Sequence, residues 1–195
     1  MATQRKAGVA LRASERCAQL YIDRQSTELT AAEVAACIGV GERTFYRHFP
    51  RKRDTIRPLL DEGSRVMAAS IRETTDRPLQ ESLVTAFRDA FGGERDERTR
   101  RLFPLLLRDD GMRAGLLHAV HDGRATLRPA IADRLGIPED SVQVRAAASL
   151  FVAAIFTALE AMAQDGSDPL GAFSDALAAA VGNPLQTNNG KETTP

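Results

Sequence analysis

The stretch Thr30-Ala-Ala-Glu-Val-Ala-Ala-Cys-Ile-Gly-Val-Gly-Glu-Arg-Thr-Phe-Tyr-Arg-His-Phe-Pro-Arg-Lys52 decides how the chain folds. Thr30 and Glu33 have the S/T-x-x-E spacing in which two side chains and two backbone donors satisfy one another, so a helix is predicted from Ala31. Gly39-Val40-Gly41 ends it. Gly41 can cap the next helix, predicted over 42–49, and Val40 can staple onto Phe45 within it. Two helices of two turns joined by three residues have the dimensions of a helix-turn-helix. In the second helix Phe45 and Phe49 lie four apart and face inward, which turns Arg43, Thr44, Arg47 and His48 outward. A major groove suits these types: Arg pairs bidentately with guanine O6 and N7, Thr offers a methyl or a hydroxyl, and His reaches a base or a phosphate. After Pro50, Arg51-Lys52-Arg53 is predicted as the first turn of the following helix. Three cations there oppose the helix dipole, which a DNA phosphate would relieve; the alternative is a solvated basic turn partly offset by Asp54.

Charge is divided around this segment. The chain of 195 residues has 26 Lys+Arg and 26 Asp+Glu, a net charge of zero. Residues 1–57 carry 11 basic and 6 acidic side chains, a net of +5, and the remainder carries 15 and 20, a net of −5. A basic module that meets a polyanion, joined to an acidic module that need not, is the simplest account. Hydrophobic residues at 43% and charged residues at 27% are ordinary globular proportions, and no run of about 18 uninterrupted apolar residues occurs. The N-terminal sequence lacks the apolar region of a secretory signal, and Cys17 and Cys37 sit in separate apolar helical patterns. These features predict a cytoplasmic protein with reduced thiols and no membrane segment.

The quoted stretch resembles the DNA-binding region of TetR-family transcriptional repressors. The resemblance covers about residues 10–60 without insertion or deletion. It includes Thr30 opening the second helix, Ala35 where helices cross, the Gly39-Val40 turn, Thr44-Phe45-Tyr46, Phe49-Pro50 and Lys52. It implies that Tyr46 and Lys52 grip phosphates, that Thr30 contacts the DNA backbone, and that Arg43, Thr44 and His48 lie nearest the base edges. Gly41 stands where the family commonly has Ser, and Arg43 where it often has Gly. It further implies a bacterial repressor that binds a near-palindromic operator on double-stranded DNA as a homodimer and is released by a small-molecule effector.

Every other convincing segment also has helical periodicity, so an all-α fold of about nine helices is predicted, three of them very short. The domains predicted are a three-helix headpiece over 1–57, an effector-binding and dimerisation domain over 58–182, and a disordered tail over 183–195, with the first eight residues a second tail. The helix over 141–164 is the longest apolar one, and a last helix is capped by Asp168-Pro169 and runs to Val181. By the resemblance these two form a four-helix bundle with a second copy; intramolecular packing is the alternative. The candidate effector lining is apolar: Phe87, Phe91, Phe103, Leu106, Met112, Phe151 and Ile155, with His121 available to hydrogen-bond a ligand. For each of the apolar residues plain core is the competing role. Pro104 and Pro129 are expected to interrupt their helices. His118 and His121 have the spacing of paired metal ligands, but nothing in the sequence brings a third, and neither a metal nor a cofactor is implied. Cys17 and Cys37 are expected to be buried and inert. No nucleophile elbow, Walker loop or dinucleotide fingerprint occurs, so an enzyme is not expected. A DNA-binding architectural or recruiting dimer without an effector remains the alternative function.

Overall fold

The computed structural model describes residues 2–181, which form nine α-helices and no strand. Helix α1 (Ala2–Arg24) takes in residues 2–8, where a tail is predicted. Ala, Gln, Arg and Lys are strong helix formers and extend a helix that the buried Ser14, Cys17 and Tyr21 already anchor. The tail predicted over 183–195 lies outside the described residues.

Helix α2 (Ala31–Cys37) starts at its capping box, with the Glu33 amide donating to Thr30 Oγ1 at 3.2 Å and the Thr30 amide donating to Glu33 Oε2 at 2.8 Å. Its end is a Schellman turn. Gly39 takes φ +75°, a left-handed conformation that a side chain would strain, while Val40 N–H donates to Ala35 O and Gly39 N–H to Ala36 O, both at 3.0 Å. The Arg16 guanidinium, reaching over from α1, adds donors to the Cys37 and Ile38 carbonyls and complements the negative end of the helix. Helix α3 (Glu42–His48) follows with Gly41 as N-cap. Tyr21, Val34, Ala35, Phe45 and Phe49 form the small core that α1 shares with this pair.

The Arg51-Lys52-Arg53 cations do not open an α-helix. Lys52–Ile56 is a 3₁₀ turn, and α4 (Arg57–Glu73) begins after it. Pro58 explains the difference: deeper inside a helix its ring would strike the carbonyl four residues back, whereas at the second position of α4 it has no bond to lose. The 3₁₀ turn is bound to α1 through Thr55. Tyr21 OH donates to Thr55 Oγ1 at 3.0 Å, which donates onward to Lys52 O at 2.7 Å, and Ser14 Oγ donates to Thr55 O.

The body consists of α5 (Leu79–Phe91), α6 (Asp96–Arg108), α7 (Asp110–Leu135), α8 (Val142–Asp165) and α9 (Pro169–Val181). Helix α4 runs along α5 and α7, while α8 lies between α7 and α9. Close approach is built into α7, where a Cβ at Gly115 would stand 3.0 Å from Arg53 Cβ and one at Gly123 would stand 2.8 Å from Ser64 Oγ. Pro104 and Pro129 lie inside continuous helices rather than interrupting them, held there by the buried neighbours Phe103 and Leu106, and Ala130 and Ile131. Four helices meet in an aromatic cluster. Phe87 of α5 stacks on Phe173 of α9 at 4.4 Å and 5°, Phe151 of α8 meets Phe173 edge-on at 5.7 Å, and Phe91 and Phe103 of α5 and α6 meet edge-on at 5.9 Å.

By length and composition α8 does reach the range of a membrane-crossing helix, with a mean hydropathy of 1.8, which its polar interruptions conceal. Its position accounts for that apolarity, because Val144, Ala148, Phe151 and Ala158 are fully buried against neighbouring helices. Cys17 is buried, and that burial, aided by the neighbouring Cys37, pushes its thiol up to about 12, so little reactive thiolate forms. Cys37 is only half-buried, contrary to expectation, because the end of α2 lies at the headpiece surface.

Candidate nucleic-acid interface

The site rests on a division of α3 into two faces. Phe45 and Phe49 are buried and in contact, ring centroids 5.6 Å apart, which fixes the rotation of the helix about its axis. Arg43, Tyr46, Arg47 and His48 are consequently exposed and Thr44 half-exposed. Tyr46 leans edge-on against Phe45 at 5.5 Å while its ring remains 49% exposed, leaving the hydroxyl free at the surface. Among the described residues no acidic side chain forms an ion pair with Arg43 or Arg47. Their positive charge is therefore available to an external partner. Thr30 stands exposed at the head of α2, its hydroxyl donating to Glu33 Oε2 at 2.7 Å.

Lys52 is placed differently from its neighbours. Its Nζ donates to Thr27 O at 2.8 Å and lies 3.8 Å from Asp109 Oδ2, so the ammonium is turned toward the body. Asp109 is the centre of this junction: Oδ2 accepts from Thr27 Oγ1 at 2.8 Å, and Oδ1 caps α7 by accepting from the Met112 amide at 3.0 Å. One carboxylate thereby joins the α1–α2 loop, the 3₁₀ turn and the start of α7. Neither Asp109 nor Thr27 stands out in the sequence; the only signal is the Asp-Asp-Gly break before an apolar helical pattern.

Partial burial opposes the Asp109 charge, but the Met112 amide, the Thr27 hydroxyl and Lys52 outweigh it and hold the carboxyl below its usual range. A carboxylate depressed in the folded state stabilises that state above its unfolded pKa of about 3.9, and the contribution is lost as pH falls through the folded value. Asp109→Asn is therefore expected to lower stability by a constant amount between about pH 5 and 7 and by less near pH 3, measured by urea unfolding. A deficit that grows on acidification would contradict this charge arrangement.

The residues expected to line an effector site divide into three groups. Phe91, Phe103 and Ile155 border an apolar interior void of about 30 Å³ lined by α4 to α8. Phe87, Leu106, Met112 and Phe151 are packed fully into the core and do not border it. His121 is on the surface, its ring bonded to Arg124 with Nη2 2.6 Å from Nε2. His118 Nδ1 donates to Ala114 O at 3.3 Å, and no group of three metal-ligating side chains occurs among the described residues.

An exposed basic helix, presented by a helix-turn-helix and carried on an acidic helical body, defines a class of DNA-binding regulators. Residues 77–186 match the family described as the MftR C-terminal domain, one of the C-terminal domains of TetR regulators. No curated protein matches in sequence. Among solved structures, a TetR transcriptional regulator from Rhodococcus sp. RHA1 superposes with a TM-score of 0.59 at 19% identity over 95% of this chain and 100% of that one. FadR of Thermus thermophilus, a TetR-family transcriptional repressor solved with lauroyl-CoA, gives 0.58 at 19% identity over 97% and 100%. A TetR-family regulator from Streptomyces coelicolor gives 0.52 at 21% identity over 92% and 80%. The chain belongs to the TetR family of transcriptional regulators, with a C-terminal domain of the MftR type.

Proposed function

We propose that this regulator is a repressor that binds a near-palindromic operator as a homodimer and leaves it when a small, largely apolar or aromatic effector enters the body. The exposed face of α3 carries this reading. Arg43, Thr44 and His48 would meet base edges, and Tyr46, Arg47, Lys52 and Thr30 the sugar-phosphate backbone. Residues 1–57 would act as the DNA-binding unit and 58–182 as the sensing and dimerising one.

Dimerisation through α8 and α9 is supported by the composition of their outer faces. Ala146, Leu150, Ala153 and Thr157 follow one another along the exposed side of α8, and Gly171 and Ala178 are exposed on α9. Small and apolar side chains at this spacing let two helix pairs approach closely, and a two-fold axis would set two α3 helices about one DNA turn apart.

The orientation of Lys52 makes its phosphate role directly testable. Lys52→Ala is expected to weaken binding to every DNA sequence and to reduce the slope of log K against log salt by about 1, read from mobility-shift titrations over a salt series. An unchanged slope would remove Lys52 from the interface and leave it as the tie between Thr27 and Asp109. Arg43→Ala is expected instead to change base preference.

The interior void of about 30 Å³ is far smaller than an effector, and the cavity of about 160 Å³ that Phe91 and Phe103 also border has room for a small one; a second reading is an architectural or recruiting dimer with a filled body. Under the first reading the effector selects a state in which α4 and α7 separate, and that difference in affinity between states provides the coupling. Thermal-shift measurements over a varied ligand set separate the two, since an effector at 100 times its Kd adds about 2.7 kcal/mol. A complete absence of stabilising ligands would support the filled-body dimer.

A further inference from the structure

Gly63 has no structural reason to be glycine. It lies in the interior of α4, where glycine is the costliest residue after proline. Gly115 and Gly123 admit close neighbours, but a Cβ at Gly63 would meet nothing within 4 Å. The space in front of it is a cavity of about 160 Å³ lined by α1, α4, α5 and α6. Leu59, Val66, Leu102 and Phe103 give it an apolar floor, and α1 contributes Leu11 and Glu15. Phe91 and Phe103 border both this cavity and the interior void.

The charges on its wall are unevenly satisfied. Glu62 is held by Arg65 at 2.7 Å, Arg95 donates to Asp89 O at 2.8 Å, and the Thr99 hydroxyl is used by the Phe91 and Arg95 carbonyls. Arg98 is half-buried and, among the described residues, has neither a hydrogen-bond partner nor an ion pair. Desolvation pulls its pKa below the usual guanidinium value; Glu15 opposes the shift and Arg95 adds to it. The Glu15 carboxylate acts on this guanidinium from beyond ion-pair distance, so its donors stay unused and a ligand anion can meet them.

We propose that this cavity binds a small monocarboxylate with an apolar tail, the carboxylate paired with Arg98 and the tail lying over Gly63. The planar fork of Arg fits a carboxylate bidentately. With Glu62 paired by Arg65, the wall keeps Arg95 and Arg98 against Glu15, an excess of one positive charge that matches a monocarboxylate rather than a dianion such as a phosphate monoester. Because the wall is drawn from α1 as well as from α4 to α6, the occupant touches headpiece and body together. The site shares Phe91 and Phe103 with the effector reading and rests on it, naming the chemistry of the ligand, while its occupancy is measurable without DNA.

The test is calorimetric titration of the full-length protein with octanoate and with octan-1-ol, compared with two variants. Octanoate is expected to bind one per chain, about tenfold or more tightly than octan-1-ol, the difference being the charge-assisted pair. Arg98→Gln is expected to bring octanoate to within about twofold of the alcohol. Gly63→Leu is expected to abolish binding of both while melting no lower than the parent, since leucine is the better helix former and its Cβ has room. Absence of octanoate binding, equal affinity for acid and alcohol in the parent, or undiminished octanoate binding by Gly63→Leu would each overturn the assignment.

Discussion

Phe87→Ala is expected to remove about 3–5 kcal/mol of stability, the largest loss from any single truncation in the body. Phe87 is buried, stacks parallel on Phe173, and lies 4.9 Å from Phe91. Truncation forfeits the transfer energy of the ring, leaves a void among side chains from α5, α8 and α9, and removes the stacking, itself about 0.5–1.5 kcal/mol. Helix α9 would feel this most, because Phe173 and Leu177 are its most deeply buried anchors. Against a total stability of about 5–15 kcal/mol, such a loss leaves a substantial unfolded fraction near physiological temperature. Urea unfolding should show a lower midpoint at unchanged m-value. A loss below about 1 kcal/mol would mean that the cluster does not hold α9 to the body.

Ala153→Arg is expected to have the largest effect on function. Ala153 is exposed near the middle of the outer face of α8, so the substitution costs the single chain little, within about 0.5 kcal/mol. In the proposed dimer it would drive two guanidinium groups together at the two-fold axis, in a helix pair packed through small side chains. Sedimentation should then report a monomer with an unchanged circular dichroism spectrum. Operator affinity should fall by about 10²–10⁴, because the second half-site is no longer bound intramolecularly. A variant that remains dimeric would move the interface away from this face.

What was legible in the sequence follows the range of the interactions concerned. The capping box of α2, the Gly39 turn and the two faces of α3 are set by residues within four positions of one another, and each appears as read. Propensity alone extended α1 through residues that carry no apolar pattern. The signal at Pro58 was equally local, but the break at Pro50 suggested a helix start at Arg51 that the second proline forbids. Contacts distant in sequence left no such trace. Lys52 turns away from the α3 face because Thr27 and Asp109 offer it acceptors, and these come together only when α7 docks on the 3₁₀ turn. The apolar residues of the body could be recognised as buried, but not sorted into core and void, since Phe87 and Phe91 share one helix and one chemistry. Only the packing of α9 onto Phe87 separates them.

The division of charge takes on a structural meaning in the folded chain. The +5 of residues 1–57 includes Arg43 and Arg47 on the open face of α3, while Arg16 and Lys52 are occupied with carbonyls of the protein itself. Part of the basic excess therefore holds the headpiece together, and part remains for DNA.

Selection of bound duplexes from a random DNA pool in low salt asks whether the dimer recognises an operator. Enrichment of a near-palindrome whose half-sites lie about one helical turn apart is expected, with altered base preference for Arg43→Ala and greatly weakened retention for Ala153→Arg. Recovery of the pool without any enriched sequence, by a protein shown to be folded, would contradict operator recognition.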